Sequence, residues 1–457
     1  MTFRNWLLSS ALLSLVGCSS GTDAPTSSNG DVAIAQSNVA RVPASEVPSS
    51  ALGDAVLANN AFALALYSQS LKRDPDKNLL TSPISATLAL TMAYAGAVGT
   101  TKSEMASALQ LPSNADDSIF AGQNALSQAL NARAGAALAS AQQIATQSQQ
   151  AAPNATDYDL QVVNSVWGEK TYTWEQPFLN TLAANYGTGV YQQDFVHAFE
   201  PARATINAWV STHTSDKIKD LLVPGSLDDL TRMVLVNAIH LKLPWDTKFD
   251  ASQTKPADFQ ASGGPVSTDF MHRGGHLAYE DDGKAQIVSL PLAHRDLSVV
   301  IALPHAGTTL ADYEAALAAG SALIASPRSS ALVDLALPKV TFTSPSVSLT
   351  EALQALGMHQ AFDPDAADFS ALCSHPPDGL NLYVGDVLQK AMIAIQETGV
   401  EAAAATAVVL AGNASAEVDP PVVVNVNRPY LVAIVDEPTG AILMLGQIQD
   451  PTQVGSP

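Results

Sequence analysis

The sequence predicts an α+β fold formed as one large domain, and three observations point to it. Apolar residues make up 47% of the 457 positions and charged ones 14%, a balance that supports a sizeable core and argues against disorder. Length alone would suggest about two or three domains, yet no linker-like break interrupts the chain beyond about residue 55. Near the C-terminus, residues 382–395 read Leu-Tyr-Val-Gly-Asp-Val-Leu-Gln-Lys-Ala-Met-Ile-Ala-Ile, a long apolar-rich run suited to a central strand.

The first residues read as a processing segment. Arg4 gives a positive start, and the apolar stretch over 7–16 is too short to span a membrane as a mature helix. It ends Leu15-Val-Gly-Cys18, which resembles the bacterial lipoprotein box. That resemblance implies a signal peptide over 1–17 and acylation of Cys18. Acyl chains would hold the protein at a membrane, each buried CH₂ contributing about 0.8 kcal/mol. Ser19 stands where an Asp would mark inner-membrane retention, so the implied destination is the outer membrane, its periplasmic or surface face left open. Residues 18–54 are rich in Ser, Gly, Pro, Thr and Ala without an apolar period and are expected to be a flexible tether. No second apolar stretch of spanning length follows, so the domain over 55–457 is expected to be tethered rather than embedded.

Along that domain a series of fragments recurs in a familiar order. Asn78-Leu-Leu-Thr-Ser82-Pro83-Ile-Ser85 is followed by Met92, Gly96 and Thr101-Lys-Ser-Glu104-Met105. Leu235-Val-Asn237-Ala-Ile-His-Leu-Lys242-Leu-Pro-Trp245 comes next, with Phe249 and Thr254. Leu337-Pro338-Lys339, Leu356-Gly357-Met358 and Asp368-Phe369-Ser370 continue it, and Asn427-Arg-Pro429-Tyr430 and Gly446-Gln-Ile-Gln-Asp450-Pro451 close it. Together they resemble the serpins, the metastable protease inhibitors, over roughly residues 56–452. The resemblance implies a large mixed central β-sheet with two smaller sheets, about eight or nine helices, and an exposed reactive loop over about 397–425. It also implies a sheet-opening region at Ser82, Ser85, Asn237, Trp245, Gln389 and Lys390.

The run Glu397-Thr-Gly-Val-Glu-Ala-Ala-Ala-Ala-Thr406 fits the reactive-loop hinge of that family. Taken alone it would suit a surface helix, since Ala is the best helix former. The strand pattern of 391–395 before it and Val408-Val-Leu410 after it favour a hinge. In serpins a target protease attacks the loop and forms an acyl-enzyme. The freed hinge then enters the central sheet as an extra strand, a known case of strand addition that releases stored strain. The sequence is suited to this. Side chains on a strand alternate, so Val400, Ala402, Ala404 and Thr406 share one face, and Glu401, Ala403 and Ala405 the other. The first set carries no charge and can face inward, whereas a one-residue slip would bury Glu401. With Gly399 as its start, a strand ending at Asn413 would reach about 50 Å at about 3.3 Å per residue. Pairing on both sides at about 1 kcal/mol per hydrogen bond gives on the order of 10 kcal/mol.

Counted along the usual serpin hinge length, the resemblance implies a reactive bond between Asn413 and Ala414, with Leu410 and Ala411 as alternatives. No Lys or Arg occurs over residues 391–427, which excludes a trypsin-like target. Val409, Leu410, Ala411 and Asn413 suit elastase-, subtilisin- or chymotrypsin-like proteases, with a cysteine protease as a cross-class alternative. Two residues depart from the family pattern. Val400 replaces the usual Thr or Ser, and Gln389 replaces the usual His, though Gln both donates and accepts hydrogen bonds. Large or charged hinge residues would have favoured a non-inhibitory binding protein or protease substrate, but 402–405 are all Ala.

Enzymatic signatures are missing. There is no G-x-S-x-G elbow, H-E-x-x-H helix or G-x-x-x-x-G-K-[ST] loop. His272-Arg-Gly-Gly-His276 has the spacing of helical metal ligands, but its glycines disfavour a helix, so a turn is expected. Glu280-Asp-Asp282 beside Gly283 also reads as a turn. The chain is therefore expected not to be an enzyme and to need no metal or cofactor. The formal net charge of −21 argues against nucleic acid. Residues 106–155 hold one basic side chain, Arg133, so no heparin-type cofactor is expected. With Cys18 modified, Cys373 is the remaining cysteine. No disulfide can form, and Cys373 is expected to be a buried small hydrophobe. The expected partner is a target serine protease, bound by a monomer whose membrane contact is limited to the lipid anchor.

Overall fold

The computed structural model describes residues 32–112, 116–320, 324–327, 329–401 and 420–455. Two nine-stranded sheets organise the body that begins at Ala33. The first sheet runs in the order β1 (Ile34–Ala35), β4 (Val190–Gln193), β3 (Asp159–Glu169), β5 (Met233–Pro244), β15 (Gly399–Val400), β14 (Met392–Gln396) and β11 (Val340–Thr343). At its other end β13 (Val387–Lys390) pairs directly with β5, and β12 (Val347–Ser348) pairs with β13. The second runs β16 (Val422–Asn425), β10 (Ser330–Pro338), β7 (Gly264–Asp281), β8 (Ala285–Pro291), β9 (Leu297–Pro304), β17 (Tyr430–Asp436), β18 (Ala441–Ile448) and β2 (Leu79–Thr81), with β6 (Lys255–Ala261) on β7.

The expected pair of smaller sheets is thus continuous. β7 is 18 residues long and pairs with β6 and β10 before continuing alongside β8, which joins the two. His272 and His276 lie within β7 opposite Ala336 and Leu332, so the expected turn there is a strand. Its Gly-Gly pair extends because β10 supplies a full ladder. Among the described residues no cluster of His, Cys, Asp and Glu could hold a metal ion. Cys373 is buried and free.

Eight α-helices flank the sheets among the described residues: α1 (Ser49–Leu71), α2 (Pro83–Tyr94), α3 (Gly99–Ala108), α4 (Asp116–Gln147), α5 (Gln176–Tyr186), α6 (Phe195–His213), α7 (Leu310–Ala318) and α8 (Thr350–Ala355). Pro83 starts α2, where its missing N–H costs nothing. Thr309 and Asp312 close a reciprocal capping box on α7. None of the described helices is long and apolar enough to cross a membrane.

The tether expected over 18–54 is not free along its second half. Ile34 and Ala35 pair with Tyr191 and Val190 at the sheet edge. The Val42 N–H donates to Ala184 O at 2.9 Å, and Arg41 donates to Asn124 Oδ1 at 2.8 Å and Ser127 Oγ at 2.6 Å. A Cβ on Gly189 would meet Ala35 O at 2.2 Å, so that glycine makes room for the strand. The helix α1 then begins at Ser49. Polar composition hid this docking because it rests mainly on backbone pairing and side-chain hydrogen bonds, with Ala35 packed against an apolar cluster. Cys18 lies outside the described residues.

Candidate functional site

The lower half of the first sheet is closed by direct pairing of β13 with β5, Val387 opposite Leu235 through Lys390 opposite Ala238. Gln389, 4% exposed, fastens it. Its Oε1 accepts from Ser82 N–H at 3.0 Å, and its Nε2 donates to Ser82 O at 2.8 Å and Asn237 Oδ1 at 3.2 Å. Asn237 in turn donates to Leu388 O at 3.1 Å. Ser82 Oγ donates to Leu443 O at 3.1 Å and shares a hydroxyl hydrogen bond with Ser85 Oγ at 3.0 Å, tying the start of α2 to the second sheet. All four side chains are buried, and each bond is neutral. Lys390 is buried alongside and donates to Lys219 O at 2.8 Å; burial pushes its ammonium below the ordinary lysine range.

The upper half is built differently. β14 and β5 no longer touch as neighbours there, because β15 lies between them. Gly399 and Val400 pair with Pro244 and Leu243 on one side and with Gln396 and Ile395 on the other, antiparallel to both. A Cβ on Gly399 would meet Leu243 O at 2.3 Å and Pro244 Cα at 2.5 Å, so only glycine permits this approach. Val400 is 1% exposed within the main apolar cluster. Trp245, also buried, donates its indole N–H to Gln396 O at 2.7 Å, while its backbone N–H donates to Thr398 O. Phe249 N–H donates to Glu397 O at 2.9 Å. The Glu397 carboxylate accepts from Lys339 and Thr254. Burial alone would raise its pKa, but these bonds and its own backbone N–H hold it below the ordinary carboxylate range.

Glu401 closes this upper arrangement. Its backbone leaves the extended region at φ 47°, and its N–H donates to Ala394 O at 2.7 Å. Its side chain, 11% exposed, pairs with Lys217 at 2.5 Å and with Nε2 of His240. Strand alternation therefore ends at Val400 among the described residues. Glu401, expected on the outer face, turns into a charged niche against β5. Burial opposes its ionisation, yet His240 and Lys217 hold its pKa down.

The structure thus brings Ser82, Ser85, Asn237, Gln389 and Lys390 together at one level of the sheet, and Trp245, Glu397, Gly399, Val400 and Glu401 at another. The remaining expected hinge residues Ala402, Ala403, Ala404, Ala405 and Thr406 and the expected reactive-bond residues Leu410, Ala411, Asn413 and Ala414 lie outside the described residues. Sequence reasoning missed His240, Asp159, Lys217, Lys339 and Thr254 as hinge contacts. One signal was available, since His240 interrupts the apolar strand between Ile239 and Leu241. Arg133 is ion-paired with Asp436 at 2.7 Å and Asp296 at 3.4 Å.

Comparison with known proteins places this geometry. The family model described as Serpin (serine protease inhibitor) matches residues 57–451. Bovine Serpin B6 is 34% identical, over 86% of this chain and 98% of its own. An uncharacterised serpin-like protein of Thermococcus kodakarensis is 32% identical, over 87% of this chain and 85% of its own. Among solved structures, the thermophilic serpin tengpin in its native state aligns at a TM-score of 0.72 with 25% identity, covering 92% of this chain and 99% of that one. Thyroxine-binding globulin in complex with thyroxine aligns at 0.69 with 26% identity, covering 87% and 99%.

Proposed function

The chain belongs to the serpin family, and from that premise we propose that it is an irreversible suicide-substrate inhibitor of a serine protease. Serpins are mostly protease inhibitors rather than enzymes, and the residues of this hinge favour the majority behaviour. The observation that carries the proposal is the seating of Gly399–Val400 between β5 and β14. The first two residues of the inserting strand already occupy the slot, and beyond Glu401 the four alanines 402–405 are small enough to continue it.

The target's serine Oγ attacks the carbonyl of Asn413, the bond to Ala414 breaks, and the new amine leaves with the C-terminal fragment. Asn413 stays esterified to the protease. Continued insertion of 402–413 then extends β15 toward the lower half, carrying the protease with it and requiring the β5–β13 pairing to open. The absence of Lys and Arg over 391–427 directs the inhibitor to elastase-, subtilisin- or chymotrypsin-like targets. Lipidation at Cys18 would station a monomer at the outer membrane, without a polyanionic cofactor, since Arg133 is occupied by Asp436 and Asp296.

The test is to mix the full chain with each protease class and resolve products on a denaturing gel, mapping the loop by mass spectrometry. A complex that survives denaturation, with a released peptide starting near Ala414, is expected. Complete cleavage by every class with no complex would replace this function by a non-inhibitory one. Ala404→Arg would place a guanidinium on the inward face and is expected to convert inhibitor to substrate; stoichiometric trapping by that variant would overturn the register.

A further inference from the structure

His240 sits on β5 where that strand leaves its pairing with β13, at Ala238, and has not yet reached its pairing with β15, at Leu243. Its side chain is 4% exposed. Both ring nitrogens face carboxylates. Nδ1 lies 3.1 Å from Asp159 Oδ2, on the neighbouring strand β3, and Nε2 meets Glu401 Oε2, at the end of the seated hinge. An ionised carboxylate only accepts, and a neutral imidazole has one N–H to donate. Only the imidazolium satisfies both partners at once. A neutral ring would turn a lone pair toward one carboxylate in a largely water-excluded niche, an unfavourable contact.

The rest of the niche does not replace that link. From the segment after α6, Lys217 reaches Glu401 and Ser215 donates to Asp159 at 3.1 Å, while Asp216 is turned to Ser211. Gln161 on β3 donates to Asp159 at 2.8 Å. On β5 the next cation, Lys242, is paired with Asp157 at 2.9 Å. β14, with the sequence Met-Ile-Ala-Ile-Gln, brings no titratable group. If His240 loses its proton, Asp159 keeps its donors Ser215 and Gln161 and Glu401 keeps its ion pair with Lys217, but His240 is the group that joins the two carboxylates across the strands.

We propose that His240 is a proton-gated clamp on the hinge: as the imidazolium it ties Glu401 to Asp159 and keeps Gly399–Val400 seated between β5 and β14, and on losing its proton it frees the hinge to withdraw. His240 is a positioning residue, acting on the loop through Glu401. Burial disfavours its charged form, but the two carboxylates outweigh that and raise its pKa above the ordinary 6.5, and its hydrogen bond holds Asp159 down at about 2. The sign follows. A raised histidine contributes seating that is complete below about pH 6.5 and lost as pH rises through its folded pKa. The clamp bears on protease trapping only if the inhibitory function proposed above holds, because a withdrawn hinge lengthens the loop that a protease meets. Seating itself is measurable without any protease.

The experiment is hydrogen exchange on peptides covering 393–401 of the full chain across pH 5.5–9, corrected for intrinsic exchange, beside the NMR titration of the histidine rings. Loss of one charged hydrogen bond is expected to lower hinge protection about tenfold at high pH. The fall should track the titration of His240, above 6.5. His240→Gln should give a pH-independent profile, and Glu401→Gln should lower protection at acidic pH and shift the His240 titration downward. The proposal is overturned if wild type and His240→Gln share one pH profile, or if His240 titrates below 6.5, a readout that needs no variant to fold. Absence of any covalent protease complex alongside a pH-gated hinge would remove the inhibitory function and leave the clamp standing.

Discussion

The two halves of the first sheet solve one problem with opposite chemistry. In the lower half β5 and β13 pair directly, and Ser82, Asn237 and Gln389 lock them with buried neutral hydrogen bonds. In the upper half β15 holds β5 and β14 apart, and the fastenings around it are charged: Lys339 to Glu397, Lys217 to Glu401, and His240 between Glu401 and Asp159. Neutral buried bonds are insensitive to salt and to moderate pH, whereas partly exposed ion pairs respond to both. Under the proposed insertion, a sheet built this way would open from the top, with the lower lock setting the barrier and the upper contacts setting how far the hinge starts inside.

Substitutions can break that contrast, from strongest to weakest. Gln389→Leu removes three bonds and leaves Ser82 N–H, Ser82 O and Asn237 Oδ1 buried without that partner. A destabilisation of about 2–3 kcal/mol is expected in denaturant unfolding, with the same size at pH 5 and pH 8. Gly399→Ala forces a methyl against the backbone of Leu243 and Pro244, and expulsion of the hinge should cost about 1–3 kcal/mol of local protection by hydrogen exchange. Glu401→Gln should cost about 1 kcal/mol at the hinge while leaving the lower half unchanged. Lys339→Met touches a pair with 30% and 16% exposed side chains, and should cost below about 1 kcal/mol and vanish in high salt.

The pH dependence of the two halves separates them further. Asp159, Glu397 and Glu401 are held below their ordinary values, so their contribution is present above about pH 4 and is lost as pH falls through the lowered values, about 2 for Asp159. His240 works the other way, its contribution fading as pH rises through a raised pKa. Upper-half seating should therefore be greatest between about pH 4 and 6.5. Hydrogen exchange of the lower strands should be flat across that interval, because none of Ser82, Asn237 and Gln389 titrates.

Much of this was legible in the sequence, and unevenly so. Ser82 and Asn237 stand in motifs whose order carries the family likeness, Gln389 departs from that pattern, and the fold places the three in contact. The substitution of Gln389 could be read chemically, since an amide offers donor and acceptor together, and both are used. The docking of residues 33–48 was not legible, because β1 adds to an edge through main-chain bonds that any short polar segment can make. Neither was the Glu401 niche. Alternation predicts a face for a side chain only while the backbone stays extended, and the positive φ at Glu401 ends that rule one residue after Val400. The side-chain partners of Glu401 come from β5 and the segment after α6, remote stretches that no local pattern connects.

The central claim is that the cleaved loop extends β15 down the first sheet. Its most direct measurement is the thermal unfolding of the chain before and after a single cut near Asn413, by a protease that is then removed. The cut form should melt well above the intact one, because a full strand adds hydrogen bonds on both sides, on the order of 10 kcal/mol. An unchanged or lowered melting temperature would mean that the loop does not insert, and the trapping mechanism would fall with it.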